Sequence, residues 1–182
     1  LLNLLQHLSG IATATQHVVA LLGTSRTRLL DTRKTLPGWR ALEKYAVKLG
    51  GAENHRIGLY DRVMLKENHI AAAGGLQAAV ERTQRYLAAE NLNLGVEVEI
   101  ETLDQLQELL SLDGVDTVLL DNMDNDQLRQ AVKAVNNRLV TEASGNITAE
   151  RLPTMRDLGL DYISMGALTH SAKALDISLY LR

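Results

Sequence analysis

The chain has no cysteine. That excludes a disulfide scaffold, a thiolate metal site and a cysteine nucleophile. It has no phenylalanine, one tryptophan and 3% aromatic residues, too few for the stacking platforms of single-stranded nucleic-acid binders. No apolar run reaches the ~18 residues that a membrane-spanning helix needs. No secretory leader is visible, so the expected compartment is the cytoplasm. The GxxxxGK[ST] phosphate loop is absent and nothing suggests a Ser–His–Asp arrangement, which ranks kinase-type and acyl-transfer chemistry low.

What is present is one domain's worth of chain. The 182 residues read as a single domain, 1–182, able to bury about 70% of the unfolded surface. The net charge of −3 hides an asymmetry. Residues 26–66 carry ten Lys/Arg and four Asp/Glu, a local +6 against −9 over the rest of the chain. The chain opens mid-pattern on Leu1-Leu2-Asn3-Leu4-Leu5, without initiator Met or N-cap, so upstream sequence is expected.

Periodicity predicts an amphipathic helix over 1–22, a strand over 28–30 and a helix over 39–49. An alternation follows. Strands are expected at 63–65, 96–100, 117–120, 139–143 and 162–165, and helices at 76–90, 103–110, 127–136 and 149–158. A final strand is expected at 177–181. The later strands recur about every 22 residues, the beat of βαβ units and a parallel sheet. The fold class is α/β, either a TIM-like (β/α) barrel or an open, incomplete version of one, with about six parallel strands.

In such folds, ligands meet the carboxyl ends of the strands. Each exit here is polar or small: Asp31-Thr32-Arg33-Lys34-Thr35, Lys66-Glu67-Asn68-His69, Glu97 with Glu99, Asp121-Asn122, Glu142-Ala143-Ser144-Gly145-Asn146, and Ser164-Met165-Gly166. Ser144-Gly145 and Met165-Gly166 are either simple turns or, on the last two βα loops, a phosphate site. Arg40, Lys44 and Lys48, at i, i+4 and i+8, read as one solvated helix side. Arg33, Lys34, Arg56 and Lys66, at loops and strand ends, are better anion ligands. His55 suits either a ligand or a packing role, and His7, His17 and His69 read as structural. Glu99 and Asp121, on neighbouring strands, suit Mg²⁺ near a phosphate. The excess of cations calls for a second, anionic ligand. A phosphorylated sugar and a compact acid fit.

These motifs, in this order, resemble one family. Leu8-Ser9-Gly10-Ile11-Ala12-Thr13, Asp31-Thr32-Arg33-Lys34-Thr35 with Pro37-Gly38, Gly50-Gly51 with Asn54-His55-Arg56, Lys66-Glu67-Asn68-His69, Glu97-Val98-Glu99, Leu119-Leu120-Asp121-Asn122, Ser144-Gly145 and Gly166-Ala167-Leu168-Thr169-His170-Ser171 are similar to those of quinolinate phosphoribosyltransferases. The resemblance implies transfer from phosphoribosyl pyrophosphate to quinolinate, yielding nicotinate mononucleotide, CO₂ and pyrophosphate in NAD biosynthesis, with Mg²⁺. It implies that Arg33, His55, Arg56 and Lys66 hold the quinolinate carboxylates and that Lys34 reaches the donor. Glu99 and Asp121 would serve the metal and the ribose. Ser144, Gly145, Gly166 and His170 would form the phosphate end. It further implies a homodimer or higher homo-oligomer, and no nucleic-acid or membrane partner. The family's N-terminal domain, with a quinolinate-binding Arg just ahead of the first helix, has no counterpart in this sequence. At position 146 an Asn stands where a second small residue is expected. Two other readings stay open: a catalytically incomplete barrel that only binds phosphate-sugar, and a phosphate-binding lyase using Lys66 as a Schiff-base amine.

Overall fold

The computed structural model describes residues 1–181. In chain order, the first half contains α1 (Leu2–Ala20), β1 (Arg28–Leu30), α2 (Arg40–Leu49), β2 (Val63–Leu65), α3 (Glu67–Ala73) and α4 (Leu76–Ala89). The second half contains β3 (Val96–Ile100), α5 (Leu103–Leu109), β4 (Thr117–Asp121), α6 (Asn125–Val135), β5 (Val140–Ser144), α7 (Leu152–Met155), β6 (Tyr162–Ser164) and α8 (Ala167–His170). In the stretch from β2 to β5 the strand order is β5-β4-β3-β2, and β1 neighbours β6. This is the α/β alternation that the sequence predicts, with the expected six strands.

The chain forms two compact units. The first comprises Leu1–Ile57, Ile147–Arg156 and the chain from Ile163 onward. Its helices α1 and α2 pack together. A Cβ on Gly50 would lie 2.5 Å from Thr15 Cβ and 2.6 Å from the Ala12 carbonyl oxygen, so only glycine permits this approach. His7 ties the same helices: its Nε2 lies 2.8 Å from Glu43 Oε1, and its ring meets Trp39 edge-on at 5.4 Å. The structural role expected of His7 is the one observed.

The second unit comprises Gly58–Asn146 and Asp157–Tyr162. Here β2, β3, β4 and β5 pair in parallel. The sequence places these strands by near-continuous apolar runs, as in Thr117–Asp121, where Val118, Leu119 and Leu120 are buried. Side chains close the helix starts. Thr102 accepts from the Gln105 amide and Asp124 from those of Asp126 and Gln127, each within a capping box. The amino-terminal ends of two strands are clamped by aspartates. Asp116 Oδ2 accepts from the Val96 amide at 2.7 Å, and Asp161 Oδ2 from the Thr141 amide at 2.9 Å.

Three expectations change. Residues 177–181 form no strand. The chain meets α1 just before and at the start of this segment, where the Leu175 amide donates to the Gln6 carbonyl at 3.0 Å and Gln6 Nε2 to the Ile177 carbonyl at 3.0 Å, and Leu179, Tyr180 and Leu181 are exposed. A Cβ on Gly10 would collide with the Lys173 carbonyl oxygen, so the α1 surface is shaped for this chain. The helix expected over 149–158 shrinks to α7, four residues with Pro153 in its first turn. Residues 67–69 of the exit Lys66-Glu67-Asn68-His69 open a helix that the sequence reading did not include, α3, which ends at Gly74 with φ 91°.

Candidate active site

In the second unit, the parallel registers decide which residues meet. Glu97 pairs with Thr117, Glu99 with Leu119, Leu119 with Glu142 and Asp121 with Ser144. Paired residues point to the same face and side chains alternate along a strand. Glu97, Glu99, Asp121, Glu142 and Ser144 therefore share one face. At its carboxyl edge Lys66 Nζ forms an ion pair with Glu99 Oε2. One strand further on, the Ser144 hydroxyl donates to Asp121 Oδ1 at 2.5 Å and Asn122 Nδ2 donates to Asp121 Oδ2 at 2.6 Å. Lys66, Glu99, Asp121 and Ser144 thus come to one edge.

Gly145 has φ 85°, and a Cβ there would lie 2.7 Å from the Asn122 amide nitrogen. Glycine is required twice over, by the left-handed backbone and by the close approach. Asn146 also takes a left-handed conformation, φ 50°, which asparagine tolerates better than most residues. Its Nδ2 donates to Asn122 Oδ1 at 3.0 Å. This side-chain bond gives the asparagine a reason to stand where a small residue was expected. Deeper on the same face, Glu97 and Glu142 are 0% and 1% exposed, and their carboxylates approach within 4.8 Å of one another. The alternation of β3 and β5 signals their direction, but nothing local in the sequence signals their burial.

In the first unit, Lys34, Gly166 and His170 come together. A Cβ on Gly166 would lie 3.0 Å from His170 Nε2 and 3.2 Å from Lys34 Cδ. The Thr169 hydroxyl donates to the Lys34 carbonyl at 2.7 Å. Arg33 precedes Lys34 with an exposed side chain. Its carbonyl accepts from Arg40 Nη2 at 3.3 Å.

His55 and Arg56 are adjacent and half-buried, and the Arg56 amide donates to His55 Nδ1 at 2.6 Å. They follow a network that sequence reasoning missed. Asp31, fully buried, forms an ion pair with Lys44. Its Oδ2 accepts from Asn54 Nδ2 at 2.7 Å and its Oδ1 from the His55 amide at 2.9 Å. Burial pushes the Asp31 carboxyl above the usual carboxylate range, against the opposing pull of Lys44, the His55 amide and Asn54. Lys44 therefore does not belong to a solvated stripe. It is 3% exposed, while Lys48 is exposed and Arg40 is half-buried with its Nη1 donating to the Ile57 carbonyl at 3.0 Å. The i, i+4, i+8 spacing misleads because the buried face of α2 includes Glu43 and Lys44 beside Ala46 and Val47.

The donor set suits a hard cation: Glu99 and Asp121 offer carboxylate oxygens, as Mg²⁺ prefers, and both are half-buried.

The comparisons agree on one family. Residues 11–180 match the family model of the quinolinate phosphoribosyl transferase C-terminal domain. The chain is 49% identical over 178 residues to the probable nicotinate-nucleotide pyrophosphorylase [carboxylating] of Bacillus subtilis, covering 98% of this chain and 60% of that protein. The solved structure of NadC from Streptococcus pyogenes shares 47% identity at a TM-score of 0.90, covering 96% of this chain and 60% of that one. A NadC deletion mutant shares 46% identity at a TM-score of 0.92, covering 100% of this chain and 64% of that one. The expected TIM-like α/β fold is that of these structures. The chain thus spans about 60% of the length of these relatives. With a match over nearly its whole length and close likeness in fold, the chain belongs to the quinolinate phosphoribosyl transferase family, of which it carries the C-terminal domain.

Proposed function

We propose that the chain serves phosphoribosyl transfer from phosphoribosyl pyrophosphate to quinolinate, with release of CO₂ and pyrophosphate, giving nicotinate mononucleotide for NAD synthesis. The relatives' names carry this activity, and the observation that carries it to these residues is the edge made by Lys66–Glu99 and Asp121–Ser144 at adjacent strand exits.

The chemistry asks little covalent work of the protein. Departure of pyrophosphate leaves an oxocarbenium-like ribose, which the carboxylates of Glu99 and Asp121 stabilise. Lys34 neutralises the leaving group. Ser144, Gly145, Gly166 and His170 take the phosphate end, with Asn122 packed against Gly145, and His170 and Lys34 against Gly166. Arg33, His55, Arg56 and Lys66 hold the two carboxylates of quinolinate by charge-assisted bonds. The pyridine nitrogen attacks the sugar carbon as the carbon–oxygen bond to pyrophosphate breaks. The electron pair of the breaking carbon–carboxylate bond stays on the ring carbon, stabilised by the adjacent quaternary nitrogen; CO₂ leaves, and a proton from water takes its place on that carbon. Glu99 and Asp121 would hold Mg²⁺, which supplies charge neutralisation at the pyrophosphate oxygens. Orientation of two anions supplies most of the rate. A cytoplasmic setting and a homodimer complete this reading.

Engagement of Lys66 Nζ by Glu99 disfavours its use as a Schiff-base amine. Labelled CO₂ released from carboxyl-labelled quinolinate, dependent on phosphoribosyl pyrophosphate and abolished by EDTA, is the expected result. Donor binding without CO₂ release would favour a catalytically incomplete binding domain. Borohydride trapping of substrate on Lys66 would favour the lyase.

A further inference from the structure

We infer that the buried Asp31–Lys44 ion pair is the positioning device of the anion site at His55 and Arg56. The pair grips the main chain of His55 from both sides. Asp31 Oδ1 accepts its amide at 2.9 Å, and Lys44 Nζ donates to its carbonyl at 2.9 Å. Asn54 doubles the hold, its Nδ2 donating to Asp31 Oδ2 at 2.7 Å and to the Lys44 carbonyl at 2.8 Å. With the main chain held, the Arg56 amide meets His55 Nδ1 at 2.6 Å. A neutral ring that accepts at Nδ1 carries its proton on Nε2. The network therefore sets both the place of the ring and its tautomer.

Stability alone gives a poor reason for this arrangement. A buried ion pair gains little over apolar residues of the same volume, because desolvation of both charges offsets their attraction. It does hold geometry: two charges in a low-dielectric interior fix the dipoles around them. The His55 amide and carbonyl are such dipoles. Displacement of a ligand-holding group by about 1 Å can cost about a hundredfold in rate. Asp31 and Lys44 thus act through His55 and Arg56. The inference rests on the proposed function in taking His55 and Arg56 as anion ligands and quinolinate as the anion.

The test uses Lys44→Met and the double variant Asp31→Asn with Lys44→Met, which removes both charges at similar volume. Calorimetric titration with quinolinate and with phosphoribosyl pyrophosphate is paired with ¹⁵N spectra of the histidine rings. The expected result is a cooperative melt, at least tenfold weaker quinolinate binding, donor affinity within twofold of the parent, and a His55 spectrum moved from one Nε2–H tautomer to an averaged pattern. A folded double variant with unchanged His55 signals and quinolinate affinity within twofold overturns the inference. So does failure of both variants to fold, which would make the pair structural. If the parent protein binds no quinolinate, the proposed function falls, and the ring spectra alone decide the positioning role.

Discussion

Asp121 and Ser144 occupy directly paired positions on adjacent parallel strands, and the serine hydroxyl donates to the carboxylate at 2.5 Å. The pairing holds Asp121 at a strand exit in one orientation. A carboxylate so held acts by its field, with little reorganisation during reaction.

Asp121→Asn keeps the shape and removes the charge. The expected outcome is a fall in kcat of about 10²–10³, with donor affinity changed only a few-fold. Steady-state kinetics alongside titration of phosphoribosyl pyrophosphate checks it. Loss confined to donor affinity would refute the ribose-stabilising role.

Arg33→Ala removes an exposed guanidinium without touching the core. Quinolinate binding should weaken by about 1.5–3 kcal/mol, the range for hydrogen bonds to charged groups. Donor binding should hold. Equal losses for both ligands would contradict the assignment.

Asp116→Ala strips the Val96 amide of its acceptor at a residue 1% exposed. Unfolding free energy should fall by about 1–3 kcal/mol, while KM for quinolinate stays unchanged. Denaturant titration and kinetics read the two quantities separately. A raised KM without lost stability would contradict a purely structural role.

Gly50→Ala places a Cβ 2.5 Å from Thr15 Cβ. The helices must part, at a cost of about 1–3 kcal/mol. A melting temperature equal to that of the parent would show that the approach of α1 and α2 is looser than described.

Asp31 predicts a pH dependence. Its pKa is raised in the fold by burial, so the native state holds this proton more tightly than the unfolded chain. Its contribution is fully present below the ordinary carboxylate range and declines as pH rises through the raised value. The melting temperature of the parent minus that of Asp31→Asn should therefore shrink as pH climbs from below the ordinary aspartate value through the raised one. A difference that grows over this interval would reverse the sign.

Strands and motif positions were legible because a buried parallel strand is written as an apolar run, and because the polar residues that follow it cannot be paid for by packing. Lys66, Glu99, Asp121 and Ser144 were readable on those grounds. The role of Lys44 was not, because α2 buries Glu43 and Lys44 while exposing Leu42, Tyr45 and Leu49. There the partners are distant in sequence: Asp31 for Lys44, His7 for Glu43. Helical spacing reports a face, not which face finds an opposite charge. Residues 177–181 misled for a related reason. Their apolar content suits a strand, but α1 takes up the chain at Leu175 and Ile177, and Leu179, Tyr180 and Leu181 stay exposed. The helix α3 was the avoidable miss, since Ile70-Ala71-Ala72-Ala73 followed by Gly74-Gly75 spells a helix and its stop.

The crossing at Gly10 has a practical side. The backbone at Lys173 fills the space that any side chain on that glycine would need. Trimming the protein back past residue 173 would uncover Gly10 and strip Gln6, on the first helix, of its partners Leu175 and Ile177, so versions shortened for crystallisation should melt below the parent.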